Sequence, residues 1–259
     1  MIKNSCRYIV IFGLSVLLLF CVGAHKNKLQ VPKPEVNGSF KGKAKLKIIG
    51  SEKTISCTMM YCYNADKNEY ISEFVGPMFK NLGVLSVNSK ELFFYIRETQ
   101  SYIKTNTDAS SFSRITGLEI EPLSFVKLFR GKFDALNLNL KKSEITEQYI
   151  INYYVSPENM RITERANKND GTLNALFFYK EDKMLFSIEL KYLEGADVPS
   201  SLDIDLKSAH LKMTMEIKNQ SSIGSSECEA PDVTKLEQST PIDSNHYDAS
   251  YPLILDLLP

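Results

Sequence analysis

The sequence contains no tryptophan and only three histidines, His25, His210 and His246. With histidines this sparse and no cysteines at ligand spacing, the chain carries no zinc-site pattern. Glycine and proline are modest, at 12 and 10 residues, which excludes collagen-like and low-complexity architecture. Charge of one sign is missing too: 31 Lys+Arg stand against 31 Asp+Glu, a formal net charge of zero. A nucleic-acid binder needs a basic surface to displace counterions, so the balance argues against that class. No Gly-x-Ser-x-Gly or His-Glu-x-x-His pattern occurs, and no carboxylate pair has a spacing that points to catalysis. The expectation is a non-enzymatic protein without cofactor or metal. What is present is globular: 43% hydrophobic and 24% charged residues over 259, enough for one large domain or two small ones.

Lys3 and Arg7 precede an apolar run from Tyr8 to Ala24, the layout of a secretory signal. The run is slightly short of the roughly 20 apolar residues of a membrane-spanning helix. Three outcomes stand. Leu18-Leu19-Phe20-Cys21 can act as a lipobox that leaves Cys21 acylated, although Phe20 stands where bacterial lipoboxes place a small residue. Val22-Gly23-Ala24 can direct ordinary cleavage before His25. The segment can also stay as an anchor. Residues 1–20 are read as the signal segment and 21–38 as a linker. Export implies an oxidising compartment. Cys57, Cys62 and Cys228 remain in the body, an odd number. Cys57 and Cys62 are five apart on a strand and face opposite sides, so they do not bridge each other. All three are expected as small buried or half-buried thiols.

The body reads as β-structure. Phe40 to Ile48 alternates strictly, with Phe, Gly, Ala, Leu and Ile on one face and Lys41, Lys43, Lys45 and Lys47 on the other. That is a half-buried antiparallel strand with a wet basic face. Further strands are expected over Thr54–Tyr63, Glu69–Val75, Gly83–Val87, Leu92–Arg97 and Ser101–Thr105. After the middle they resume over Glu147–Val155, Met160–Arg165, Thr172–Tyr179, Met184–Tyr192, Ser201–Leu206 and His210–Lys218. Two short helices interrupt them: Ser110–Ile115, ending at Gly117, and one opened by Pro122 and closed by Gly131. Neither is stable alone, so both must pack on the sheet. A single deeply curved antiparallel sheet covered by helices, enclosing an apolar cavity, is the expected architecture. From Gln220 the chain turns Ser-rich and acidic and reads as a disordered tail, 220–259, with an apolar end from Tyr251 to Pro259. That end reads either as a segment packed on the body or as a plug or docking peptide.

The neutral total is a sum of unlike parts. The signal segment contributes +2 and residues 220–259 contribute −6, leaving a body at +4. A basic body suits anionic lipid or an acidic carrier, and the acidic tail can compete for the same face.

The order of features resembles LolB-type outer-membrane lipoproteins of the LolA/LolB superfamily. Three stretches carry the likeness: Val75-Gly76-Pro77-Met78-Phe79; Ile115-Thr116-Gly117-Leu118-Glu119-Ile120 running on to Leu123 and Gly131; and Val198-Pro199-Ser200-Ser201-Leu202-Asp203-Ile204 followed by Leu211-Lys212-Met213. Together they span Phe40 to Lys218. The family's helical-lid and final-strand tryptophans are absent here, and the acidic tail is extra. The resemblance implies an incomplete antiparallel β-barrel with a helical lid, residues 39–219, and an apolar interior for acyl chains. It implies a lipid anchor at Cys21 and, because Val22 follows it, the periplasmic face of the outer membrane. It also implies a monomeric acceptor that takes acylated lipoproteins from a LolA-like periplasmic carrier and inserts them into the membrane. The soluble, LolA-like alternative follows if cleavage falls before His25, and an envelope scaffold on the same fold is a further alternative. Candidate cavity residues are Phe40, Leu46, Met59, Tyr61, Phe94, Phe125, Phe129, Phe177 and Phe186. By analogy with the family's protruding leucine, Met78 would enter the membrane, assisted by Phe79 and Leu82.

Overall fold

The computed structural model describes residues 38–50, 54–135, 137–224, 227–228, 236 and 239–242, all within the unit Pro34–Pro259. The signal segment, Cys21 and the apolar C-terminal end lie outside the described residues. Six strands form the first half of the sheet: β1 (Phe40–Ile49), β2 (Thr54–Asn64), β3 (Glu69–Val75), β4 (Asn81–Val87), β5 (Glu91–Ile96) and β6 (Ser101–Asn106). Two helices follow, α1 (Ala109–Thr116) and α2 (Pro122–Lys127), the second continued by a 3-10 turn over Leu128–Arg130. The second half comprises β7 (Asn139–Ile145), β8 (Tyr149–Val155), β9 (Arg161–Asn167), β10 (Leu173–Lys180), β11 (Lys183–Lys191), β12 (Ser201–Leu206) and β13 (Leu211–Ser222). A two-residue β14 (Thr240–Pro241) completes the set.

All these strands belong to one sheet, in the order β14-β6-β5-β4-β3-β2-β1-β13-β12-β11-β10-β9-β8-β7. Two antiparallel meanders, β1–β6 and β7–β13, are therefore joined by the pairing of β1 with β13. The helices sit in the crossover from β6 to β7. The sheet is curved but open, because β7 and the β6–β14 side do not pair with each other. The expected fold class is the observed one, and all twelve expected strands are present, two of them (Glu69–Val75 and Ser201–Leu206) with the expected bounds and the rest displaced at one or both ends by up to four residues.

The alternation of β1 works as the sequence dictates: Phe40, Ala44, Leu46 and Ile48 are buried, and the four lysines are exposed. α1 is capped as its sequence demands. The Asp108 carboxylate accepts the Ser111 N–H at 2.7 Å, and Gly117 closes the other end by donating to Ser113 O at 2.7 Å. Gly131 ends the second helical segment at φ +66°, a left-handed conformation that costs a side chain dearly. Gly42 is required by a close approach: a Cβ there would lie 2.5 Å from the Tyr61 hydroxyl and 2.6 Å from the Asn219 carbonyl oxygen. The second atom is backbone and cannot swing aside. Gly42→Ala is therefore expected to lower unfolding free energy by about 1–3 kcal/mol, read as a shifted denaturant midpoint.

Three expectations need correction. β7 was not legible as a strand, because Asn139–Ile145 is a mostly exposed edge rich in charge, with no apolar alternation to reveal it. The supposed tail does not begin at Gln220: β13 continues to Ser222, pairing Gln220, Ser221 and Ser222 with Gly42, Lys41 and Phe40. Downstream, Thr240–Pro241 adds to β6 in parallel, with Thr240 N–H donating to Gln100 O and Ile242 N–H to Tyr102 O. Finally, Cys62 and Cys228 are not thiols but a disulfide across 166 residues, with Cα atoms 5.8 Å apart. Outward-facing Cys62 is half-buried beside Lys41 on the neighbouring strand, a position that only strand register reveals. Cys57 stays a buried free thiol, its pKa pushed up to about 11 by burial.

Candidate functional site

The inner face of the first meander and the two helices enclose a cavity of about 50 Å³. The sheet wall is built from Leu46 on β1, Met59 on β2, Tyr70, Ser72 and Phe74 on β3, Leu85 and Val87 on β4, Phe94 on β5, and Met213 and Met215 on β13. Strand register puts them on one face: Met59 pairs with Phe74, Ser72 with Leu85, Leu85 with Phe94, and Leu46 with Met215. The helical wall comprises Phe112, Ile115, Thr116, Leu118, Pro122, Phe125, Val126 and Phe129. None of these residues is charged. Thr116 is satisfied locally, donating to Phe112 O at 2.9 Å and accepting the Leu118 N–H at 3.2 Å. The three methionines on the sheet side are unbranched and adaptable, so this wall can fit varied hydrocarbon shapes.

Five of the nine expected cavity residues line it: Leu46, Met59, Phe94, Phe125 and Phe129. Phe40 and Tyr61 face inward and are buried, but they form an aromatic seat beside the cavity. The Tyr61 ring lies 5.1 Å from Phe129 and 6.3 Å from Phe40, and the Arg130 guanidinium stacks 5.6 Å over Phe40. Burial pushes the Tyr61 phenol up, and burial lowers Arg130, with Tyr61 opposing that effect. Phe186 is inward but packs on Phe178 at 4.1 Å in the second meander. Phe177 is on the wrong face altogether: it is half-buried outside, under the Arg165 guanidinium at 5.4 Å. A register shift between Leu173 and Ala175 broke the alternation that would have placed it. Sequence reading named none of the β3, β4 and β13 wall. The strict alternation of Met213 and Met215 with Lys212 and Glu216 was the signal that could have found two of them.

β3 and β4, which supply half of the sheet wall, are joined by a one-turn 3-10 segment, Pro77–Phe79. Gly76 N–H donates to Lys80 O at 2.8 Å and closes the loop at its base. Met78 stands at its tip, 94% exposed and in the left-handed region at φ 55°. Such a backbone is unfavourable for a side chain, and strained residues concentrate at functional sites. The Phe79 side chain lies outside the described residues. Leu82 does not join the tip: it is 6% exposed and packs against Gly76 within the core. Its position one residue into β4 turns it inward.

On the outer face the four β1 lysines remain exposed, and Lys41 pairs with Glu227 at 2.9 Å. Ser101–Lys104 and Ser124–Lys127 have the Ser-x-x-Lys spacing of some serine hydrolases, but each lysine is held by a carboxylate. Lys104 meets Glu91 at 3.1 Å and Lys127 meets Asp134 at 2.8 Å. Among the described residues no cluster of His, Cys, Asp and Glu suits a metal. Glu164 is fully buried on β9 but engaged, accepting from Asn152 Nδ2 and the Tyr154 hydroxyl, both at 2.9 Å. The site is an apolar cavity between an open sheet and its helical cover.

The fold is similar to that of LolA-superfamily proteins. A LolA-superfamily protein from Nitrosomonas europaea superposes over 76% of this chain and 90% of its own, with a TM-score of 0.53 and 8% identity. A putative outer-membrane lipoprotein-sorting protein domain from Vibrio parahaemolyticus covers 79% and 91%, with a TM-score of 0.54 and 9% identity. A DUF1329 family protein from Desulfovibrio piger covers 77% and 90%, at 0.53 and 11%. No protein-family profile matches the chain, and no curated protein matches it in sequence. At these identities the likeness is one of fold: the LolA-like sheet and its helical cover are shared, while the residues that fill them are this chain's own.

Proposed function

We propose that this protein handles acylated lipoproteins in the cell envelope, holding their acyl chains between the sheet and α1–α2 and passing them to a membrane at Met78. The observation that carries the reading is the uncharged cavity between sheet and lid. Burying each methylene there contributes ~0.8 kcal/mol, so a chain of many methylenes binds without any catalytic group. The tip supports the delivery step. An exposed apolar side chain on a braced loop, covalently continuous with two wall strands, is suited to enter a lipid surface. Exposed Lys43, Lys45 and Lys47 would face anionic head groups or an acidic carrier. In the LolB-type form of this proposal Cys21 is acylated and holds the protein at the outer membrane. The alternatives are a soluble LolA-like periplasmic carrier, released by cleavage before His25, and a protein-binding scaffold, which would bind no fatty acid.

Met78→Glu tests the proposal. Folding and binding of a fluorescent fatty acid should be unchanged, because the side chain touches neither core nor cavity. Transfer of bound lipoprotein to vesicles should fall at least tenfold, since a carboxylate resists entry into hydrocarbon. Transfer at the unaltered rate would remove the tip from the mechanism.

A further inference from the structure

Ser72 is fully buried on the cavity wall, yet its hydroxyl makes no well-formed hydrogen bond. A buried, unmet hydroxyl costs about 1–3 kcal/mol, and native folds rarely keep one without use. Among the described residues two other polar atoms are unmet, Arg130 Nε and Gln220 Oε1, and both sit on half-buried residues that do not line the cavity. Ser72 is different: no solvent reaches it, and every other described wall atom near it is apolar or already engaged. Tyr70, two residues earlier on the same face, has its phenol pushed up by burial and lowered in smaller part by a side-chain hydrogen-bonding contact with Ser72, but the contact falls short of full hydrogen-bond geometry and leaves Ser72 Oγ without a well-formed partner. The Tyr70 hydroxyl is spent on a weak contact with Met59 Sδ at 3.7 Å. Its oxygen still has accepting capacity, and its proton is loosely held by sulfur.

We propose that Ser72, with the Tyr70 hydroxyl, forms a polar subsite that receives the carbonyl oxygen of an ester- or amide-linked acyl chain. The inference rests on the acyl-binding reading and deepens it by naming the part of the ligand the cavity recognises. The chemistry selects a neutral acceptor. Among the described residues no charged side chain lines the cavity, so a carboxylate would enter without a counter-ion from them. A bare hydrocarbon would leave the hydroxyl unmet. A carbonyl satisfies it with one hydrogen bond and fixes how deep the chain sits.

The test compares two lysophosphatidylcholines of equal chain length, one ester-linked and one ether-linked, so that the ligands differ by a carbonyl. Displacement of a fluorescent-chain phosphatidylcholine, which carries no carboxylate, gives both affinities. The unaltered protein is expected to bind the ester about tenfold more tightly, the value of one net hydrogen bond. In Ser72→Ala that ratio should fall to about one, with ether affinity kept or improved because the orphan hydroxyl is gone. Each ratio is measured within one protein, so a general loss of stability cannot imitate the result. Equal affinities in the unaltered protein, or an ester preference that survives in Ser72→Ala, would overturn the subsite alone. Failure of both lipids to bind the unaltered protein would overturn the acyl-binding reading and the subsite with it.

Discussion

A short bismaleimide bridge between Glu119→Cys and Lys180→Cys is expected to lower acyl-chain affinity at least a hundredfold. The cavity of about 50 Å³ is far smaller than the roughly 300–1,000 Å³ typical of ligand pockets. If the protein binds acyl chains as proposed, a long chain does not fit this cavity as it stands, and α1 and α2 would lift from the sheet to admit it. Their build permits this: the helices have eight and six residues, too short to be stable except by packing. The loop between them is held to the far meander by Lys180 Nζ and Glu119 Oε1 at 3.3 Å. That pair is partly exposed and worth at most about 1 kcal/mol, so it holds the lid without locking it. A covalent bridge replaces a weak tether by a permanent one across 61 residues. Cys57 does not compete for the reagent, being buried with its thiol pKa pushed up to about 11. The same double variant capped with N-ethylmaleimide should bind as the unaltered protein does. If the bridged protein also binds normally, the chain enters by another route and the lid is not a lid.

Replacing both disulfide cysteines by serine, Cys62→Ser with Cys228→Ser, should lower stability by about 2–4 kcal/mol. For a protein of this size that is a fall of roughly 5–15 °C in melting temperature. The loop closed by the bond spans 166 residues, for which chain entropy alone would give about 5 kcal/mol. The smaller figure is expected because other contacts also hold the C-terminal arm: Ile223 N–H on Ser39 O, Lys41 on Glu227, and β14 on β6. The fall is read as the shift of a thermal melt. An unchanged melting temperature would show that backbone pairing alone fastens the arm.

The acidic residues after position 220 are less separate from the body than their composition suggests. Glu227 reaches back to Lys41 at one end of the lysine stripe, beside the disulfide. Of the stripe's other members, Lys43, Lys45 and Lys47 stay exposed on the same strand. The arm thus touches the basic face at the first lysine of the stripe, through one ion pair between Lys41 and Glu227.

How much of this was legible in advance follows from the range of each interaction. Alternation is local, so β1, β3 and β12 could be read nearly to the residue, and both helices could be placed by their caps and by Pro122. The sequence alone determined the curved β-sheet with a short helical cover, the lysine face of β1, and Met78 at a loop tip. Wherever a bulge broke the period, as before Phe177, the facing was lost, because one extra residue inverts every side chain beyond it. Which apolar residues line the cavity, rather than merely fill the core, depends on strands far apart in sequence, and only the pairing of β1 with β13 brings Met213 and Met215 beside Leu46. The disulfide, the arm's return to β6 and the unmet hydroxyl of Ser72 are likewise tertiary facts. Each depends on what stands opposite a residue across the fold, and no local period carries that information.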